Sequence, residues 1–374
     1  SKPNSTHCRH TASQISHGYQ RVETMLKALP VKHFIQIKRT KIMTAILTEN
    51  VTNTPMPAIK RPIAVLDAGN RTTQWISPNN TIKTIPSCIK MLEDWEEAQP
   101  DQHSVLVEVL DNSGDITERF IVGAEAQRQK GVSAFTGNKC EMAKRLVYAA
   151  LEPLPGSSTV IFDYLRVALP DARNAGNVEL LKSLADTYYF RRNGETVHAS
   201  VREVEPIDET RPAYKFALAK GLYKSHKHIN GILDLGGGTG IGRLYSPSGN
   251  LMRQADVIVP GTFQLAKKID AALIPSTNQS QDLAQIMDAI ADGSYQIGVS
   301  GANFAHLFEK CRDSWLEEIR AMLRTAWGQY FDQVGEVLII GGSAPLAKPI
   351  EEATKGRFKV ALNSQNISIV GMVL

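Results

Sequence analysis

Short apolar runs alternate with glycine and asparagine turns from Pro62 onward. The segment PIAVLDAGNRTTQWISPNNTIKTIPS contains three β-rich runs, separated by a glycine turn at Gly69 and a polar turn at Asn79 and Asn80. Apolar runs of this length between such turns are typical of antiparallel strands. The pattern therefore predicts a three-stranded antiparallel unit at the start of the folded region.

The same unit occurs a second time from Gly231. There the run GILDL is followed by a glycine turn at residues 236–238, and two further apolar runs flank the turn SGN. Each copy has an aspartate two residues before the first glycine of its hairpin turn, Asp67 in one copy and Asp234 in the other. The repeat predicts two β-sheets, each with one carboxylate and one glycine loop at the tip of a hairpin.

A carboxylate beside a glycine loop indicates a particular chemistry. Glycines expose backbone N–H groups without obstruction by a Cβ atom, and such loops bind phosphate oxygens. An aspartate next to phosphates repels them unless a divalent cation lies between the two. Asp67 and Asp234, facing each other across a cleft, therefore predict Mg²⁺ together with a nucleotide polyphosphate.

A third glycine turn lies near the end of the chain. The segment VLIIGGSAPLAKPIEEA predicts a buried strand, a turn at Gly341 and Gly342, and then an amphipathic helix. The apolar face of that helix is predicted to consist of Leu346, Ile350 and Ala353. This succession resembles a loop that holds a ribose or a base, although taken alone it is more often an ordinary connection between a strand and a helix.

A longer amphipathic helix is predicted in FEKCRDSWLEEIRAMLRTAWGQYF, where apolar residues recur at intervals of three and four. This spacing places them on one face of a helix, and such a face is normally buried in the core. The residues of the predicted face are Phe308, Cys311, Trp315, Ile319, Met322, Ala326 and Tyr330.

Composition and charge divide the chain into a leader and a body. The net charge is +4, but residues 1–62 contain ten Lys and Arg against two acids, and the remainder contains 32 against 36. Residues 1–61, which include the motif HCRH, are interpreted as a disordered basic leader with little to bury. The body, in a chain that is 43% hydrophobic, is expected to fold into two or three lobes.

Two classes of protein are not favoured. The four cysteines are widely spaced, so the sequence indicates neither a zinc site nor a disulfide framework. No apolar segment approaches the roughly 18 residues that a membrane-spanning helix needs. We therefore expect a cytoplasmic protein without a membrane partner.

The motifs LDAGNRTT, LDLGGGTG and IIGGSAPL, in this order and spacing, resemble those of the actin, sugar-kinase and chaperone ATPase superfamily over about residues 62–374. The resemblance implies an α/β, actin-like (ribonuclease H-like) fold, in which duplicated β-sheet domains surround a nucleotide cleft. Domain I would comprise residues 62–227, with a small inserted lobe near 88–150. Domain II would comprise residues 228–374, with a helical lobe near 262–333.

Two further segments point to one branch of that superfamily. VGAEAQRQKG looks like a segment of actin, and EPIDETRPAYKFAL resembles the connecting segment of the ParM/StbA family of plasmid-segregation actins. In that family a glutamate shortly before a Pro-Ala pair positions the attacking water, and the matching residue here is Glu209. The resemblance implies an ATPase that assembles into filaments with itself and segregates plasmid DNA indirectly, through a DNA-binding adaptor at a plasmid centromere.

The resemblance also implies roles within the site. Glu209 and Asp234 would be catalytic, and Asp67 and Asp234 would hold Mg²⁺ through water. The nucleotide would be ATP, although GTP is also compatible because nothing in the motifs reads the edge of the base. The implied nucleotide-binding residues are Asp67, Gly69, Asn70, Arg71, Thr72, Gly236, Gly237, Gly238, Thr239, Gly341, Gly342 and Ser343.

One position departs from the family, and three alternatives stay open. The family's first loop commonly has a lysine seven residues after its aspartate, whereas this chain has Gln74. Arg71 in the same loop could supply the positive charge. The alternatives are a small-molecule kinase on the same fold, a chaperone-type ATPase and a non-polymerising actin-like scaffold. A kinase would need a base directed at a hydroxyl substrate, and the sequence contains no conspicuous loop of that kind.

Overall fold

A computed structural model of the chain describes residues 63–134, 138–299 and 301–374. The predicted basic leader and its HCRH motif lie outside these residues. Within the described residues, the strands form two mixed β-sheets, which use successive parts of the chain. Helices pack on both sheets and complete an α/β architecture.

The first sheet takes its strands from the first part of the folded region. Its strands follow the order β3-β2-β1-β8-β10-β9-β5-β6-β4-β7. They are β1 (Ile63–Ala68), β2 (Thr72–Ile76), β3 (Ile82–Pro86), β4 (Cys88–Met91), β5 (Ser104–Leu110), β6 (Ile116–Gly123), β7 (Val132–Ser133), β8 (Thr159–Leu169), β9 (Thr187–Arg192) and β10 (Glu195–Asp208).

The second sheet has the order β13-β12-β11-β14-β15. Its strands are β11 (Ile229–Leu235), β12 (Thr239–Tyr245), β13 (Val257–Pro260), β14 (Val334–Ile340) and β15 (Phe358–Val360). The α-helices of the described residues are α1 (Ala124–Arg128), α2 (Lys139–Ala150), α3 (Ala175–Lys182), α4 (Thr210–Ala219), α5 (Thr262–Thr277), α6 (Leu283–Asp292), α7 (Ala305–Trp327), α8 (Lys348–Ala353) and α9 (Ile367–Gly371). None of the helices in this part of the chain has the length and apolar character required to cross a membrane.

The internal repeat predicted from the sequence is present in both sheets. The orders β3-β2-β1-β8-β10 and β13-β12-β11-β14-β15 correspond strand for strand, with three antiparallel strands followed by two parallel ones. The registers correspond as well, because Asp67 is paired with Gln74 and Asp234 with Ile241, seven residues later in each case. The duplicated sheets and their hairpins are therefore confirmed.

Helix α7 is buried along a face that differs from the predicted one at its C-terminal end. The predicted positions from Phe308 to Ile319 are buried, but Met322 is exposed, and Leu323 and Trp327 are buried instead. The indole of Trp327 donates a hydrogen bond to the Ala255 carbonyl at 2.7 Å, which fixes the rotation of this end of the helix. The predicted face was therefore wrong at Met322, whereas Ala326 and Tyr330 are partly buried and pack against the same core.

The segment after the third glycine turn also differs from its prediction. It begins with a 3₁₀ turn at Ala344–Ala347 before α8. A 3₁₀ turn has three residues per turn, so its buried side recurs every third residue. The buried residues are accordingly Ala344, Ala347 and Ile350, whereas Ala353 is exposed and Leu346 only partly buried.

The C-terminal helix α9 connects the two sheets. It packs along α4, and Ile369 of the helix and Met372 directly after it share an apolar cluster with Val65 and Ala168 of the first sheet. This packing places the end of the chain beside the first hairpin. It thereby closes one side of the space between the two glycine loops.

Candidate functional site

A cavity of about 380 Å³ lies where the glycine loops of the two hairpins meet. Its walls also include the turn that follows β14, the start of α4 and one face of α6. The sequence-predicted residues that line it are Asp67, Gly69, Asn70, Arg71, Thr72, Glu209, Asp234, Gly236, Gly237, Thr239, Gly341, Gly342 and Ser343. Gly238 is not part of the lining and packs against Asn70 instead.

The two glycine loops contact each other directly. A Cβ atom at Gly238 would lie 2.8 Å from the side-chain nitrogen of Asn70, and one at Gly237 would lie 2.6 Å from Cβ of Arg71. A side chain at either position would push the loops apart. The second loop therefore needs its glycines for the close approach that forms the cavity.

The third glycine turn lies directly against Asp234. Gly341 has φ +91°, which side chains with a Cβ rarely adopt, and a Cβ there would lie 2.5 Å from Oδ1 of Asp234. The Ser343 N–H donates to the Leu235 carbonyl at 3.0 Å, and its hydroxyl donates to the Gly236 carbonyl at 3.3 Å. This turn is thus fixed to the back of the second loop.

The first loop is supported by hydroxyl groups that the sequence reasoning did not identify. The Ser87 hydroxyl donates to the Gly69 carbonyl at 2.6 Å and is 2.7 Å from the Thr73 hydroxyl. Both side chains belong to buried residues. The available signal was a pair of polar residues in segments predicted as β-strands.

Asp67 and Asp234 both line the cavity and repel each other. Desolvation raises the pKa of Asp234 to about 7, and the negative charge of Asp67 adds to this rise. Desolvation also raises the pKa of Asp67, and the positive charge of Lys139 opposes the rise. A divalent cation between the two carboxylates would relieve their repulsion, so the donor set fits Mg²⁺ held directly or through water.

Glu209 lies at the junction of β10 and α4. Its N–H donates to the Leu169 carbonyl at 3.0 Å, and its carboxylate faces the cavity, where it forms an ion pair with Lys139. The neighbouring acids are engaged elsewhere: Asp208 forms an ion pair with Arg253, and Glu205 lies 2.8 Å from Arg166. Neither of these two neighbours lines the cavity.

Lys139 is the main cavity residue that the sequence reasoning missed. It is the first residue of α2, its side chain is 11% exposed, and desolvation lowers its pKa while Asp67 and Asp234 oppose this. The amphipathic pattern of α2 was a signal for a helix. A lysine at the start of such a helix looks the same in sequence whether it is solvated or buried.

Gln74 and Arg71 both have partners within the protein. The Gln74 amide nitrogen donates to Thr84 and to Asn366, each at 3.0 Å. Arg71 lies 2.6 Å from Oδ1 of Asp288 on α6. The other oxygen of Asp288 accepts a hydrogen bond from the side chain of Gln127 at 2.9 Å. Asp288 thus connects α6 to the first glycine loop through Arg71 and to α1 through Gln127.

No family model matches the sequence, and no curated protein matches it either. Solved structures do match the fold. The archaeal actin homologue Ta0583 superposes with a TM-score of 0.69 at 14% identity, covering 83% of this chain and 98% of that chain. A 15-stranded ParM filament from Clostridium botulinum gives 0.67 at 15% identity, covering 83% and 97%. The pSK41 ParM protein, solved without nucleotide, gives 0.61 at 14% identity, covering 83% and 95%. The predicted actin-like fold is therefore confirmed.

Proposed function

We propose that this protein is an actin-like ATPase that binds ATP with Mg²⁺, hydrolyses it and assembles into filaments. The observation that supports the proposal best is the shared cavity formed by two equivalent hairpins, each with one aspartate and one glycine loop. This arrangement combines backbone N–H groups for phosphate oxygens with carboxylates for a cation. Ta0583 has been solved in complex with ADP, which supports nucleotide binding as part of the proposal.

The chemistry of the cavity walls supports a particular placement of the nucleotide. The β- and γ-phosphates would bind the amides of residues 69–72 and 236–239, and the ribose and base would lie against residues 341–343. Asp67 and Asp234 would hold Mg²⁺, largely through water, and the ion would neutralise charge on the phosphates. ATP is the proposed nucleotide, and GTP is the second candidate because these motifs contain nothing that reads the base edge.

Glu209 is proposed to orient the water that attacks the terminal phosphate. Phosphoryl transfer depends mostly on positioning and charge stabilisation, so one well-placed acceptor is enough. Glu209 is favoured over Asp208 and Glu205 because its carboxylate is the one that faces the cavity. Asp234 would contribute by fixing the cation.

We also propose that the folded part of the chain consists of two domains. Domain I would comprise residues 62–227 with its lobe near 88–150, and domain II residues 228–374 with its helical lobe near 262–333. We propose that the protein binds further copies of itself, since one of the matched structures is a ParM filament. A DNA-binding adaptor at a plasmid centromere would connect the filament to plasmid DNA in the cytoplasm.

The proposal is tested by sedimentation and phosphate release in parallel. The protein is centrifuged without nucleotide and with Mg-ATP, Mg-GTP or Mg-ADP, and released phosphate is measured in the same samples. We expect an ATP-dependent pellet that dissolves as ATP is consumed. Glu209→Gln should keep ATP binding and the pellet but slow hydrolysis by about 10²- to 10⁴-fold.

Glu205→Gln is the matched control, since it removes the same charge from β10, four residues before Glu209 and outside the cavity. It should hydrolyse ATP as the unmodified protein does. Hydrolysis without any pellet over a broad concentration range would favour the non-polymerising scaffold. Phosphate transfer to an added small hydroxyl compound would favour the kinase, and equal phosphate release by both variants would contradict the role of Glu209.

A further inference from the structure

Lys139 lies among three carboxylates of the cavity. Its ammonium forms an ion pair with Glu209, and it interacts electrostatically with both Asp67 and Asp234. Lys139 itself lines the cavity. Its ammonium therefore acts both on the residues proposed to hold the cation and on the residue proposed to orient the attacking water.

The backbone of Lys139 is held rigidly at the start of α2. Asn138 caps α2 by accepting a hydrogen bond from the Cys140 N–H at 3.0 Å. Cys140, Ala143 and Leu146 on the same helix are buried in the core of the first sheet. The backbone of Lys139 is thus held in place, while its four-carbon side chain can still change partners.

The cationic groups of the cavity have unequal freedom to bind a ligand. Among the described residues, the cationic side chains that line the cavity are Arg71 and Lys139. Arg71 is bound to Asp288 at 2.6 Å, on an element outside the two hairpins. Gln74 is neutral, and its amide already donates to Thr84 and Asn366. Of these two lining cations, Lys139 is the one that acts electrostatically on both Asp67 and Asp234.

We propose that Lys139 binds the terminal phosphate of the bound nucleotide and, by leaving Glu209, frees that carboxylate to orient the attacking water. This inference rests on the proposed function. A terminal phosphate carries more negative charge than a carboxylate and offers several strong acceptor oxygens, so it competes effectively for an ammonium group. Without nucleotide, the same ammonium neutralises Glu209.

The test separates phosphate binding from a merely structural ion pair. Lys139→Met alone would leave Glu209 without its partner, and the variant could misfold for that reason. The double variant Lys139→Met/Glu209→Gln removes both charges and restores a neutral pair. Binding of fluorescent ATP and ADP analogues with Mg²⁺ is measured for this double variant, for Glu209→Gln and for the unmodified protein, and folding is checked by circular dichroism.

We expect the double variant to fold and to bind the ATP analogue about 10- to 100-fold more weakly than Glu209→Gln, the range of one lost hydrogen bond to a charged group. The loss for ADP should be smaller, since ADP lacks the terminal phosphate. A loss of less than tenfold for ATP, or an equal loss for ADP, would overturn the inference. If the unmodified protein binds neither analogue, the proposed function itself is wrong.

Lys144→Met is the matched control for this experiment. Lys144 lies on the same helix and is paired with Glu141 at 3.1 Å, with half of its side chain exposed. Its substitution should leave ATP binding within about twofold of the unmodified protein, because exposed pairs contribute little. A loss as large as that of the double variant would show that the effect comes from the general charge of α2, which would also overturn the inference.

Discussion

Arg243→Met is expected to destabilise the fold by about 3 kcal/mol, because it removes a buried guanidinium at the junction of the two sheets. The Arg243 side chain is 3% exposed and lies between Asp208 at 3.6 Å and Asp256 at 3.4 Å. It also donates to the Pro170 carbonyl and, at 3.4 Å, to Thr210 at the start of α4.

The expected loss of stability depends on the contacts that Asp208 and Asp256 keep when Arg243 is removed. Breaking a buried ion pair from one side typically costs about 3–5 kcal/mol, since the remaining charge is left without compensation. Here Asp208 keeps its ion pair with Arg253 and accepts from the Ala172 N–H at 3.0 Å, and Asp256 keeps Arg253 at 3.5 Å. The remaining charges are therefore partly compensated, and the loss belongs at the lower end of that range.

Urea unfolding followed by tryptophan fluorescence measures this loss as a shift of the midpoint. Arg202→Met is the matched control, since Arg202 forms an ion pair with Asp163 at 2.7 Å but is 64% exposed. It should cost less than about 1 kcal/mol. A loss below about 1 kcal/mol for Arg243→Met would refute the idea that this cluster secures the junction that carries Glu209.

Two further predictions concern the cleft. Gly341→Ala should weaken Mg-ATP binding and lower stability, because the added Cβ would displace Asp234. Gly356→Ala is the control: Gly356 has φ +79° and open space around it, so its substitution should lower stability by about 1–2 kcal/mol and leave ATP binding unchanged. Calorimetric titration measures the ATP affinity and thermal melts measure the stability, and equal ATP affinity in both variants would contradict the proposed placement of the nucleotide beside Gly341. Asp288→Asn should speed the release of a fluorescent ADP analogue about two- to fivefold in stopped flow, because the partly exposed Asp288 contacts both Arg71 and Gln127 across the cleft. Asp313→Asn, on the exposed side of α7, should leave the release rate unchanged. An unchanged rate for Asp288→Asn would show that these contacts do not hold the cleft closed around the nucleotide.

The hairpins could be predicted from the sequence because their determinants are local. An apolar run, an aspartate, a glycine turn and a second run specify the strands and the tip together, and the same order occurs around Asp67 and Asp234. The duplication then placed two equivalent tips opposite each other. Local pattern and repeat were sufficient for the duplicated hairpins, their two aspartates and their glycine loops, whereas the actin-like fold class and the choice of Glu209 came from the resemblance to a family.

The remaining features depend on contacts between distant parts of the chain. The pairing of Lys139 with Glu209 joins the start of one helix to the start of another, and no local pattern specifies that contact. The rotation of α7 was also undetermined, because Met322 and Leu323 are both apolar and either could continue the buried face. The hydrogen bond from Trp327 to Ala255 settles that choice, and it forms only in the folded protein.

The charges of the cavity support the proposed binding of a cation. Among the described residues, the carboxylates in its lining belong to Asp67, Glu209, Asp234 and Asp288, and the cations belong to Arg71 and Lys139. The two cations form ion pairs with Asp288 and Glu209, so the lining has two more carboxylates than cations. A polyphosphate alone would add negative charge to a site that is already negative. With a divalent cation between phosphates and aspartates, the same walls favour binding, and phosphate binding by Lys139 would shift charge toward the reacting end.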